Sequence, residues 1–144
     1  MRDEDLSLKL FLVLVRATQS ITKKIEEDIK SHGLNPTEFG VLELLYHKRN
    51  LPIQKIGEKI LLASSSITYV VDKLEKKSLL VRQSCPEDRR VTYASLTESG
   101  HELMNEIFPK HRKVVKQLFE GLDLEEKEIM ITQLKKLGYH AKGL

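Results

Sequence analysis

The chain has 144 residues, 40% of them hydrophobic and 31% charged, with a formal net charge of +3. That length suits one domain with one core, and the composition speaks against a disordered or bilayer-spanning chain. A lone cysteine, Cys85, excludes an internal disulfide framework and agrees with a reducing, cytoplasmic setting.

The first predicted helix runs from about Asp5 to Ser31. Leu6, Leu10, Val13, Ala17, Ile21, Ile25 and Ile29 recur at steps of three and four, the stripe of an amphipathic helix. The run from Leu6 to Val15 resembles a signal-peptide core. However, Asp3, Glu4 and Asp5 precede it where a signal is basic, Lys9 interrupts it, and it is too short to span a bilayer. Apolar residues also cover the other faces of this stretch. Such a helix needs neighbours on several sides, more than one small chain offers, which implies a second chain.

Gly33 is expected to end that helix. Asn35-Pro36-Thr37-Glu38 then carries a capping box with proline at the first helical position, opening a second helix that holds Phe39, Leu42, Leu45 and Tyr46. Pro52 is expected to open a short third helix with Ile53, Ile56 and Ile60. The serine run Ser64, Ser65 and Ser66 caps a fourth helix ending near Lys77. Two strand-like pieces follow, roughly 80–84 and 91–96, joined by the polar tip 85–90 as a hairpin. Thr97 caps a fifth helix, expected to bend at Pro109, reach about Glu120 and close at Gly121. Asp123 and Glu126 form a capping box for a last helix through about Leu137.

This order predicts a mainly α fold with a small β-hairpin wing: a winged helix-turn-helix over about residues 35–97, flanked by dimerisation helices over about 1–32 and 98–144. The charge agrees with it. Residues 48–90 hold ten Lys/Arg against five Asp/Glu, while 1–47 hold six against eight and 91–144 hold eight of each. The positive excess lies in the middle third, which favours a polyanionic partner.

The fourth helix carries the argument. Ile67, Val70, Val71 and Leu74 fall at i, i+3, i+4 and i+7 and are expected to face the core. The opposite face then presents Ser65, Thr68, Tyr69, Asp72 and Lys76, with Ser66 and Lys73 at its edge. Short hydroxyls at a helix N-terminus suit a helix entering a major groove, where they reach base edges and phosphates. The plainer reading makes Ser64, Ser65 and Ser66 only a cap and turn, and Asp72 is a carboxylate that phosphates would repel. The hairpin adds separate weight. Arg89 and Arg90 stand where a wing reaches a minor groove, and Asp88 is placed to hold one guanidinium as an ion pair.

The runs LNPTEFGVLELLY and IQKIGEKILLASSSITYVVDKLEKKSLLVRQSCPEDRRVTYASLTESG resemble the multiple-antibiotic-resistance regulator (MarR) family. The similarity extends over nearly the whole chain, and the DRR-to-LTESG wing signature is fairly specific. The resemblance implies a homodimer with interlocked terminal helices and two winged helices on a palindromic operator in double-stranded DNA. By matching positions, Arg90, with Arg89, enters the minor groove and Asp88 steadies it, while Ser65, Ser66, Thr68 and Tyr69 face the major groove. Ser64 and Lys73 complete the expected DNA contacts. Cys85 departs from the family, which often has Asp before the wing proline. The LNPTEF, CPEDRRVTYA and NEIFPKH segments resemble a Gram-positive subgroup that responds to phenolic and quinone-like compounds. That implies a stress-response repressor released by a small effector, with Phe11, Phe39 and Tyr46 as candidate pocket residues.

Other readings are weaker. His32, His47, His101, His111 and His140 are scattered, and there is no HExxH, nucleophile elbow, GxGxxG or P-loop, so an enzyme is not expected and no cofactor is implied. A metal-responsive regulator would need a ligand cluster that one cysteine and unpaired histidines do not suggest. A thiol-based redox switch at Cys85 is the remaining alternative, since the arginines nearby favour a thiolate. A winged helix that docks only protein is disfavoured by its hydroxyl face and arginine tip.

Overall fold

The computed structural model describes residues 2–60 and 64–144. Helix α1 spans Arg2–Ser31, with Asp3, Glu4 and Asp5 in its first turn, where carboxylates complement the helix dipole. Gly33 follows it at φ 79°, a left-handed conformation that favours glycine. Helix α2, Pro36–Lys48, starts on the expected capping box: the Glu38 amide donates to Asn35 Oδ1 at 2.8 Å and the Asn35 amide to Glu38 Oε1 at 3.0 Å. Helices α3, Ile53–Lys59, and α4, Ser64–Lys76, come next.

A strand that the sequence did not suggest, β1 at Asn50–Pro52, precedes α3. It pairs antiparallel with β3, Thr92–Leu96, which also pairs with β2, Leu80–Ser84, to give the order β1-β3-β2. Pro52 therefore ends an edge strand and caps α3, instead of occupying its first turn. An edge strand tolerates proline because its outer N–H has no ladder partner to lose.

Helix α5, Glu98–Leu118, opens on Thr97, whose Oγ1 accepts from the Gly100 amide at 3.0 Å and whose hydroxyl donates to the Ser78 carbonyl at 2.6 Å. Gly100 is required here, because a Cβ would collide with the Leu79 backbone carbonyl. The helix runs through Pro109 as one element and is capped at Phe119, not closed by Gly121. Helix α6, Leu124–Lys142, begins on the Asp123–Glu126 capping box and passes the expected end at Leu137.

The core lies among α2, α3, α4, the sheet and the first half of α5. Phe39, Val41, Leu42, Leu45, Ile56, Ile67, Val71, Leu74, Leu80, Ala94 and Met104 are buried there. The two terminal helices differ from this lobe. Ile29 is the one buried residue of α1 among those described, and α6 buries none. Leu6, Leu8, Leu10, Phe11, Leu12 and Val13 of α1 are exposed, as are Ile129, Met130, Ile131, Leu134 and Leu137 of α6. Between the two helices runs a groove of about 800 Å³, lined by Leu10, Val13, Leu14, Ile129, Leu134 and Leu137 among others. No helix of the described residues is long and apolar enough to cross a membrane.

Candidate nucleic-acid interface

Helix α4 is divided as its periodicity requires. Ile67, Val70, Val71 and Leu74 are buried, while Ser66, Thr68 and Tyr69 are exposed, Tyr69 to 68%. Its first turn carries no acidic residue, so nothing there opposes an approaching phosphate. Ser64 and Ser65 begin the helix, but their side chains lie outside the described residues.

Lys73 stands at the edge of the open face, its side chain 42% exposed. Its ammonium lies 3.8 Å from Glu38 Oε2, and Lys77 bonds the same oxygen at 2.9 Å. Glu38 is only 2% exposed. Burial by itself would raise its pKa, but the Lys77 hydrogen bond, the Asn35 amide and the two ammonium charges outweigh this and hold it below the usual glutamate value. On the other flank, Asp72 is partnered as well. Arg82 of β2 bonds Asp72 and reaches Glu75 at 3.4 Å, so the carboxylate that phosphates would repel already has a cationic partner.

The wing tip is built by its own backbone. The Val91 amide donates to the Asp88 carbonyl at 3.0 Å, and the Cys85 amide to the Val91 carbonyl at 2.9 Å. Asp88 accepts from the Arg90 guanidinium at 3.1 and 3.3 Å and from the Arg90 amide at 3.0 Å. The guanidinium bonds, then the amide, hold the Asp88 carboxyl below its usual pKa. Arg89 and Arg90 are both exposed, and Cys85 is half-buried at the foot of the hairpin.

The three candidate effector residues are not brought together. Phe39 is core and packs on His111 with ring centroids 4.6 Å apart. Tyr46 lies near Phe108, 5.6 Å away, and its hydroxyl donates to Asn105 at 2.6 Å. Phe11 is 63% exposed, on the uncovered part of α1. The sequence reading also missed a polar junction. His111 Nδ1 lies 2.8 Å from Asp28 Oδ2, and His32 Nε2 lies 3.5 Å from the other Asp28 oxygen. The partners are 83 positions apart, so spacing could not reveal them. The described residues hold no group of three or more His, Cys, Asp or Glu that could take a metal ion.

Comparison with known proteins agrees with this geometry. Residues 34–92 match the model of the MarR family. The chain is 57% identical to the HTH-type transcriptional regulator MhqR of Bacillus subtilis, over 94% of each chain. In fold it is similar to AbsC, a MarR family transcriptional regulator from Streptomyces coelicolor, with a TM-score of 0.88 at 23% identity over 97% of each chain. It is also similar to Sco3205 from the same organism, solved in complex with DNA, with a TM-score of 0.82 at 21% identity over 96% of this chain and 87% of that one. The chain belongs to the MarR family of DNA-binding transcriptional regulators.

Proposed function

We propose that the protein is a homodimeric repressor that holds a palindromic operator until a small phenolic or quinone-like ligand releases it. The observation that carries this reading is the wing tip. The Arg90 side chain is 92% exposed, yet Asp88 fixes it. A long side chain with that much solvent around it normally samples many rotamers. Restricting it beforehand lowers the entropy lost when it enters a groove. Arginine suits a narrow minor groove, whose negative potential is enhanced.

Residues 1–144 act in this reading as one unit. Ser64, Ser65, Ser66, Thr68 and Tyr69 on α4 meet the major groove, while Arg89 and Arg90 enter the minor groove beside it. The exposed apolar faces of α1 and α6 are covered by a second chain, which sets two α4 helices in successive major grooves about one helical turn apart. Phe39 and Tyr46 flank the effector, near the junction of α1, α2 and α5, and Phe11 belongs to the surface buried between chains. An effector there must prefer the dimer geometry that fails to bind DNA.

The test is a duplex-binding titration with an uncharged phenol, a catechol and a quinone. Each active compound should release DNA at sub-millimolar concentration and raise the melting temperature of the free protein by mass action. Compounds with neither effect would remove the phenolic effector and leave the repressor. A second reading, a thiol switch, draws on the position of Cys85: an adduct there would disturb the 2.9 Å hydrogen bond that its backbone amide donates to the Val91 carbonyl at the foot of the wing.

A further inference from the structure

Helix α4 is held by charge on two flanks, and the flanks have opposite signs. Lys77 lies just past the end of α4, its amide bonded to the Lys73 carbonyl at 3.2 Å, so the two lysines stand on one side of the helix, and both reach Glu38 of α2. Asp72 and Glu75 are three apart, neighbours on a second line, and both reach Arg82 of β2. Adjacent residues differ by about 100° around a helix, so the lines of Asp72 and Lys73 face different directions.

The anchors are themselves fixed. Glu38 gives Oε1 to the Asn35 amide and keeps Oε2 for the lysines. Arg82 projects from a strand in register with β3, opposite Ala94. The buried stripe of Ile67, Val70, Val71 and Leu74 decides which face of α4 is inside. Apolar burial is non-directional, however, and tolerates a small rotation about the axis. Hydrogen-bonded ion pairs are directional, and two of them on different lines resist rotation either way.

We propose that Glu38 and Arg82 are positioning residues that fix the roll of α4 about its axis, and so determine which outer side chains meet the bases. This rests on the reading that α4 enters the major groove. Base readout needs side chains held to within about half an ångström, which the two clusters supply. They also withdraw Lys73 and Lys77 from indiscriminate phosphate contact, and they pair Asp72 and Glu75 with one shared cation.

The test compares affinity for a selected operator duplex with affinity for an unrelated duplex of equal length, across a salt series. Glu38→Gln keeps a carbonyl oxygen for the Asn35 amide and removes the charge. It should bind the unrelated duplex more tightly, with a log–log salt slope steeper by about 1–2, because two freed ammoniums reach phosphates. Preference for the operator should fall roughly tenfold, the worth of about one base contact. Arg82→Gln should weaken both duplexes and lower the preference. Adding Asp72→Asn and Glu75→Gln to it should restore affinity for the unrelated duplex but not the preference.

Lys73→Gln with Lys77→Gln removes the same cluster from the α4 side, and decides the matter if Glu38→Gln does not melt cooperatively. Its preference must also fall. Equal weakening on both duplexes would make the lysines plain phosphate contacts and overturn the proposal, as would unchanged preference in Glu38→Gln and Arg82→Gln. Tyr69→Ala separates the two levels. If it weakens operator binding while the positioning variants keep full preference, only the roll constraint fails. If it too changes nothing, α4 is not the reading helix and both readings fall.

Discussion

The guanidinium of Arg90 lies against the carboxylate of Asp88, Nε to Oδ1 at 3.1 Å and Nη2 to Oδ2 at 3.3 Å, two residues apart on the wing tip. Both groups are accessible to water, so the pair adds little to fold stability. Its consequence is for binding. Arg90→Ala should weaken operator affinity by about 1–3 kcal/mol, as for loss of one good groove contact. Asp88→Asn should cost less, since the guanidinium survives but is no longer held. Neither variant should change the melting temperature. A folded Arg90→Ala protein with unchanged affinity in a gel-shift titration would remove Arg90 from the interface.

The groove between α1 and α6 predicts how the chains associate. Leu10 and Leu134 both line it and are both exposed in the single chain. Leu10→Asp with Leu134→Asp should therefore give a monomer whose reading lobe remains folded, because neither residue belongs to the core. Operator affinity should collapse with the loss of the second half-site. A double variant that still sediments as a dimer would place the interface elsewhere.

Gly100 makes a prediction about the fold alone. Gly100→Ala adds a Cβ against the Leu79 backbone, which cannot swing aside as a flexible side chain would. Overpacking of this kind costs about 1–3 kcal/mol, against a gain of about 1 kcal/mol from alanine's helix propensity. The variant should melt at a lower temperature than the wild type, by thermal denaturation. A stabilised variant would show that the junction of β2, β3 and α5 yields easily.

Cys85 separates the two sensing mechanisms. If the effector acts in a pocket, Cys85→Ser should release DNA in response to a non-electrophilic phenol as the wild type does. If the thiol is the sensor, a quinone should leave an adduct in the intact mass of the wild type, and the variant should not respond. The pocket is favoured, because one thiol with no second cysteine in the chain lacks an internal resolving partner.

Much of this architecture was legible in the residues. The capping boxes at Asn35 and Asp123 and the Thr97 cap are local chemistry, and they appear where the pattern put them. The buried stripe of α4 was legible because helical periodicity needs no knowledge of the partner. Strand β1 was not, since three residues are too few to show alternation and Pro52 suits a helix start equally well. Helix α6 also runs past the expected end near Leu137, through Gly138, to Lys142. The partners of α4 were not legible either: Arg82 beside Asp72 and Glu38 beside Lys73 are brought there by tertiary structure, which a local pattern does not encode.

The central claim, that two chains read an inverted repeat through α4 and the wing, is tested most directly by selecting bound duplexes from a random pool with the wild-type protein. The stoichiometry of the winning duplex is then measured by sedimentation. The account predicts an enriched palindrome with half-sites about one helical turn apart, occupied by two chains. An asymmetric site filled by a single chain, or a pool with no enriched sequence, would contradict it.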